Sequence, residues 1–316
     1  MKKALIIKLG YSETLAGFLN LGVSLGDVLR TTFILHYFKD YSVSWLVDYK
    51  AAPLLEDNKH IDRILIYKPS IVDMLKEESF DVVINFEKSL NFIQLIDSIN
   101  SQYYFGFTNN CNSVFKSGDV MGDKKLVEIS KDLDKKRENK NCWQDILAQS
   151  TGNRFKGESY ILGYKPKSKI VYDVGFNWTT SSNWRNKFWP YNYWKKLGIL
   201  LENKYVISWQ QGMDNLYDYM EWINSCRLIV TADTLGLHLA LALQKRVVAL
   251  FGPTPPEEVY LYNLGSYLTP DSPYDCIPCV NLSCNKEMLC MEYIYPEKVK
   301  KAIDYEFGKI KSSSRK

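Results

Sequence analysis

One stretch of this sequence has residue types and spacing suited to gripping phosphate. Asp233-Thr234-Leu235-Gly236-Leu237-His238 lies where an apolar, β-branched run at 228–231 gives way to helical spacing. A helix N-terminus offers unsatisfied backbone N–H groups and the positive end of the helix dipole, and both attract a phosphate. Thr234 can cap that helix or bond a phosphate oxygen, and Gly236 lets the backbone come close to a ligand. His238, in the first turn, can donate to a phosphate or a ribose. Gly252-Pro253-Thr254 ends the next strand-like run on the same edge of the sheet, so Gly252 and Thr254 would border the same cleft. Singly, Asp233 and Thr234 are caps and His238 is a core histidine; the ordered combination favours a binding site. A second cluster, Cys276-x2-Cys279-x4-Cys284-x5-Cys290, gathers four of the seven cysteines. Four thiolates at close range can hold zinc, iron or an iron–sulfur cluster in a closed, structural site. The alternative is four reduced thiols packing a loop.

The elements that would position these residues alternate along the chain. Strand-like runs fall at 4–9, 43–48, 63–67, 81–86 and 103–107, with helical spacing at 27–37, 88–99 and 142–150. A polar stretch containing Gly157, Gly163 and Pro166 marks a linker, and the alternation restarts. Strands are expected at 169–174, 205–209, 228–231 and 247–251, and helices at 194–202, 214–225, 237–243 and 296–307. Such βαβ alternation implies mostly parallel sheets. The expected class is α/β with two Rossmann-like, doubly wound domains, 1–160 and 161–316, facing a cleft, with the last helix able to pack back on the first domain. The charged stretch 123–141 reads as a solvated helix or loop.

Composition narrows the function classes. The chain has 316 residues, 46% apolar and 24% charged, with a net charge of +4, too small to argue for a nucleic-acid partner. No apolar run approaches the length of a membrane span. The opening segment is broken by Lys8 and lacks a small-residue cleavage site, so a cytoplasmic location is expected. An odd cysteine count without such a signal argues against a disulfide framework. No G-x-G-x-x-G follows either first strand, which disfavours a dehydrogenase.

The stretch from Leu228 to Pro256 resembles the ADP-heptose:lipopolysaccharide heptosyltransferases, glycosyltransferase family 9, whose members carry D-[ST]-G-x-x-H-x-A-x-A followed by V-A-L-F-G-P-T. Asp233, Thr234, His238, Ala240, Ala242 and Val248 to Thr254 fit. Leu235 stands at the usual glycine place and Gly236 comes one position later. Ile6 to Gly10 followed by Ser24-Leu25-Gly26-Asp27 resembles the family's first strand, turn and helix, with residues 11–23 inserted. Asn183 to Pro190 resembles its K-x-W-P block. The cysteine run, with Pro278 and Met291, also resembles one found in members.

That resemblance implies a GT-B fold and an inverting, metal-independent glycosyltransferase. Its proposed general base falls on Asp27. Its phosphate-contacting lysine falls on Lys187, with Thr179, Thr180 and Ser181 as hydroxyl contacts. The segment 208–214 would hold the ribose or base, without a clean match to the family's acidic residue. The donor implied is a nucleotide-diphosphate sugar, ADP-heptose foremost, and the acceptor a lipopolysaccharide core or other lipid-linked glycan. Catalysis would need no cofactor. A protein hydroxyl or another surface glycan as acceptor, and a non-catalytic nucleotide-sugar-binding protein, are the competing readings. The basic tail, seven Lys/Arg against two Asp/Glu over 298–316, suits either peripheral docking on the inner membrane or a solvated C-terminus.

Overall fold

In the computed structural model the described residues are 1–11, 22–108, 121–211 and 215–313. Most of the 11–23 insertion, three residues of 208–214 and the last three of the tail therefore lie outside the described residues. The chain divides into two units, Met1–Lys165 with Glu257–Tyr260, and Pro166–Pro256 with Leu261–Lys316.

The first unit runs β1 (Lys2–Ile7), α1 (Leu25–Thr31), β2 (Tyr41–Val47), β3 (Arg63–Ile66), α2 (Pro69–Glu77), β4 (Ser79–Asn85), α3 (Leu90–Asp97), β5 (Asn100–Gly106), α4 (Met121–Lys131), α5 (Leu133–Glu138) and α6 (Trp143–Gln149). Its strands pair in parallel in the order β3-β2-β1-β4-β5. Strands buried on both faces need near-continuous apolar runs, and Leu5, Ile7, Leu46 and Val83 of the strands share one core cluster with Ile96 of α3. The helical spacing predicted over 27–37 is split: α1 stops at Thr31 and the chain tightens into a 3-10 turn, Thr32–Tyr37. The charged 123–141 stretch is helical, as α4 and α5.

The second unit runs β6 (Tyr172–Asn177), α7 (Tyr191–Leu201), β7 (Ile207–Trp209), α8 (Leu216–Asn224), β8 (Cys226–Ala232), α9 (Leu235–Ala242), β9 (Arg246–Leu250), β10 (Gly265–Leu268) and α10 (Pro296–Ser313). Its strands are also parallel, in the order β10-β9-β8-β6-β7. The strand expected over 169–174 lies at Tyr172–Asn177, because pairing with β8 sets Asn177 opposite Thr231. The last helix does not stop near Phe307 but continues to Ser313. Its Val299, Ile303 and Phe307 are buried with Trp194, Leu197 and Leu201 in the second unit's core. Among the tail's cations, Lys298, Lys300 and Lys309 pair with Asp271, Asp304 and Glu306. No helix among the described residues is long and apolar enough to cross a membrane.

Each sheet changes direction once. In the first, connections leave β1 one way and reach β4 the other; in the second, the reversal lies between β6 and β8. Open parallel sheets bind ligands in the crevice beyond the strand carboxyl ends at such a reversal.

Candidate functional site

Beyond β6 and β8 the second unit gathers most of the predicted donor residues around one carboxylate. Asp233 Oδ2 accepts from Lys187 Nζ at 2.8 Å and from Thr254 Oγ1 at 2.9 Å. Lys187 also donates to the Asp233 carbonyl at 3.0 Å and lies 4.3 Å over the Trp184 ring. His238 Nε2 is 4.0 Å from Asp233 Oδ1. Burial alone would raise the Asp233 pKa, but the Lys187 and His238 charges and the two side-chain hydrogen bonds outweigh it and hold the carboxyl well below the usual range. Asp233 is therefore charged at every physiological pH.

Thr234 stands at the N-cap of α9, yet its side chain makes no cap hydrogen bond. Asn177 donates instead to Thr234 Oγ1 at 3.0 Å and to Thr231 Oγ1 at 2.7 Å. Gly236 has a steric reason: a Cβ there would overlap the Asn177 amide and the Tyr219 hydroxyl. The displaced glycine thus makes room for a polar cluster beneath the turn. Gly252 is explained by packing, since its Cβ would run into Met291 and Cys290. Thr179 donates to Gln210 Oε1 at 2.6 Å in the loop after β6, with Thr180 half-buried and Ser181 exposed beside it.

In the first unit the corresponding edge carries Asp27. It is 5% exposed on α1, paired with Arg30 and 3.6 Å from Lys8, which is itself 3.5 Å from the buried Glu87. Glu87 Oε1 accepts from the backbone N–H groups of Leu9 and Gly10, both at 2.7 Å, and so fixes the loop leaving β1. Asp27 lines a pocket of about 520 Å³, open mouth included, together with Lys8, Arg30, Lys88, Lys136 and Trp143. Arg30 lies 5.1 Å over the Trp143 ring. Lys136 is 3.8 Å from Glu258. Sequence reading did not single out Glu87, Lys88, Lys136, Asn177 or Tyr219. The available signal was the polar cluster Asn85-Phe86-Glu87-Lys88 after an apolar run, which marks a strand's carboxyl end.

Burial, then the charges of Lys136 and Lys8, pull Lys88 down to about 8. Its unfolded value is near 10.4, so between pH 8 and 10 the unfolded chain binds more protons and stability rises with pH through that window. Lys88→Met is therefore expected to stabilise the protein at pH 7 by on the order of 2 kcal/mol, with the gain shrinking toward pH 10. Urea denaturation at both pH values checks this, and a gain that is equal at both rules it out.

Cys276, Cys279, Cys284 and Cys290 are free thiols, with Cys290 pushed up to about 12 by burial first and then by neighbouring thiols. Among the described residues no group of three or more His, Cys, Asp or Glu is placed to hold an ion. No structural zinc, iron or iron–sulfur site is shown among the described residues, and no step is assigned to one. The chain does hold one Asp-x-Asp pair, Asp132-Leu133-Asp134, which sequence reading passed over. Asp132 caps α5 through the backbone N–H groups of Asp134 and Lys135, and Asp134 faces Arg137 at 3.5 Å, so both carboxylates are used locally.

Two parallel-sheet, Rossmann-like units, each with a polar cluster at its sheet reversal, define the GT-B type of glycosyltransferase architecture. Residues 211–289 match the sequence model of glycosyltransferase family 9 (heptosyltransferase), the family that the motifs of the sequence resemble. No curated protein matches the chain in sequence. Among solved structures it is similar to a family 9 glycosyl transferase from Veillonella parvula, with 16% identity, TM-score 0.65, and 96% of this chain and 97% of that chain covered. It is also similar to the E. coli heptosyltransferase WaaC with ADP-2-deoxy-2-fluoro heptose, with 16% identity, TM-score 0.60, and 96% and 99% covered. The iron-containing dodecameric glycosyltransferase TibC of enterotoxigenic E. coli is similar at 13% identity, TM-score 0.58, with 99% and 81% covered. At such identities these likenesses show the fold.

Proposed function

We propose that the protein transfers a heptose or related sugar, with inversion and without a metal, from a nucleotide-diphosphate donor such as ADP-heptose to a hydroxyl of a lipopolysaccharide-core acceptor. The observation that carries this reading is the Lys187–Asp233–Thr254 cluster beside the start of α9, whose Asp233 and Thr254 lie inside the segment that matches the family model. In this reading the second unit holds the donor. Lys187, the Thr234 hydroxyl and the first amides of α9 face the diphosphate, Asp233 keeps Lys187 in place, and Thr179, Thr180 and Ser181 supply further hydroxyls. The first unit, 1–160, serves the acceptor. Asp27 takes the proton from the acceptor hydroxyl, the oxygen bonds the anomeric carbon, and the bond from that carbon to the diphosphate breaks. The nucleoside diphosphate leaves with the electron pair, stabilised by Lys187. A pocket walled by Lys8, Arg30, Lys88 and Lys136 suits an acceptor bearing phosphate or carboxylate, which supports a lipopolysaccharide core over a neutral glycan.

A thermal-shift panel of nucleoside diphosphates and nucleotide sugars tests the donor half. ADP at about 100-fold its Kd contributes roughly 2.7 kcal/mol, enough for an upward shift in Tm. Stabilisation by ADP and ADP-sugars above UDP, GDP and CDP is expected. A flat response to all of them defeats the reading.

A further inference from the structure

Beneath the turn that opens α9 lies a buried polar chain with no part in the mechanism above. The Tyr219 hydroxyl donates to Asn177 Oδ1 at 2.7 Å. Asn177 Nδ2 spends one hydrogen on Thr231 Oγ1 and the other on Thr234 Oγ1. Thr231 Oγ1 donates to the Ala232 carbonyl at 2.8 Å. Tyr219 and Asn177 are buried and Thr231 is fully so, whereas Thr234 is half-exposed. Three buried side chains are thus committed to setting the hydroxyl of a fourth, Thr234, at the surface.

We propose that Asn177 and Tyr219 are positioning residues for donor binding: they draw the Thr234 hydroxyl out of its capping role and orient it, together with the first amides of α9, toward the diphosphate. This deepens the donor reading above and rests on it.

The physical case has three parts. First, a threonine at an N-cap ordinarily bonds its own helix's N2 or N3 amide, which stabilises the helix start. Here that bond is absent although the residue is in place, so something outweighs it. The Asn177 amide, in a dry site where an unmade hydrogen bond is costly, is the group that does so. Second, the amide has one orientation that satisfies every member. Tyr219 donates to its oxygen, so its nitrogen faces the two threonines; a flip would set the amide oxygen against Thr231, whose own hydrogen is committed to Ala232. Thr234 Oγ1 therefore accepts from inside, and its hydrogen is directed toward Thr231 Oγ1, 3.2 Å away, or outward. A phosphate oxygen competes for that hydrogen well, being charged. Third, Gly236 is the one residue type that leaves space for the amide and the phenol under the helix. The glycine's shift by one place from the family pattern and the presence of this chain are two sides of one packing solution.

ADP affinity, measured by calorimetric titration, provides the test. Tyr219→Phe keeps the ring and removes the donor that fixes the amide, so ADP Kd is expected to rise about 3- to 10-fold, with a fall in Tm from the unpaired amide oxygen. In a Thr234→Ala background the same Tyr219→Phe change is expected to have no further effect on Kd, because the hydroxyl it positions is gone. A merely structural tyrosine would weaken ADP binding equally in both backgrounds, and that result overturns the proposal. A ligand-free readout separates this outcome from failure of the donor reading. In Asn177→Ala the released Thr234 hydroxyl is expected to return to its cap and slow hydrogen exchange of the Gly236 amide relative to the rest of α9. Unchanged or faster exchange at Gly236 also overturns the proposal. If wild-type protein binds no nucleoside diphosphate while the exchange result holds, the donor reading fails and only the orienting role of Asn177 survives.

Discussion

Asp27→Asn is expected to lower turnover by roughly 100- to 10,000-fold, the range in which a positioned general base acts, while ADP affinity stays within about twofold of wild type. The amide has the shape of the carboxylate and keeps an oxygen for Arg30, but it cannot take the acceptor proton. The change also leaves Lys8 and Arg30 short of one negative charge in a nearly buried cluster, with Glu87 as the remaining carboxylate beside Lys8. Some loss of thermal stability is therefore expected. Donor affinity separates the two effects, because the residues proposed to bind the donor belong to the second unit, with its own sheet and core. Single-turnover kinetics on preloaded donor give the cleanest reading, and unchanged turnover removes Asp27 from the chemistry.

The second large effect belongs to Lys187. Lys187→Ala removes the cation from the diphosphate and also leaves the Asp233 carboxylate facing it. Asp233 is charged at every working pH, so its repulsion adds to the lost attraction. The combined cost is expected to be about 3 kcal/mol, in line with a charge-assisted hydrogen bond plus an uncompensated charge, or a rise of more than 100-fold in ADP Kd. The double variant Lys187→Ala/Asp233→Asn should then bind ADP more tightly than Lys187→Ala alone, since the repelling charge is gone. Calorimetric titration of the three proteins settles it. If the double variant binds no better, Asp233 does not face the phosphate, and if Lys187→Ala binds as wild type the phosphate assignment is wrong.

Much of the architecture was legible because buried parallel strands write themselves as short apolar runs. Predicted strands overlapped β1 to β9, with the 169–174 run meeting β6 only at its first residues. α2 and β10 were passed over: α2 is a nine-residue helix with Leu75 as its one buried residue, and β10 is a four-residue strand of mixed polarity. α9 is apolar on nearly all sides and buried, so helical periodicity there was carried by its flanks rather than by an amphipathic stripe. The departures elsewhere are tertiary. α10 runs past Phe307, the last residue of its buried stripe, to Ser313, and Lys309 there pairs with Glu306 one turn back.

By itself the sequence determined the class: two rounds of βαβ alternation, and a D-T-x-G-x-H turn followed by a strand ending in G-P-T, spell a sheet edge whose local chemistry suits a phosphate. It could not say what holds those residues in register. Lys187 meets Asp233 across 46 positions and Tyr219 meets Asn177 across 42, while Lys8 meets Glu87 across 79; only folding brings such pairs together. Partners separated that far share no spacing rule. Which carboxylate grips which lysine, and which amide draws a hydroxyl off its helix cap, were therefore decided by the sheet order and the packing beneath each strand's end.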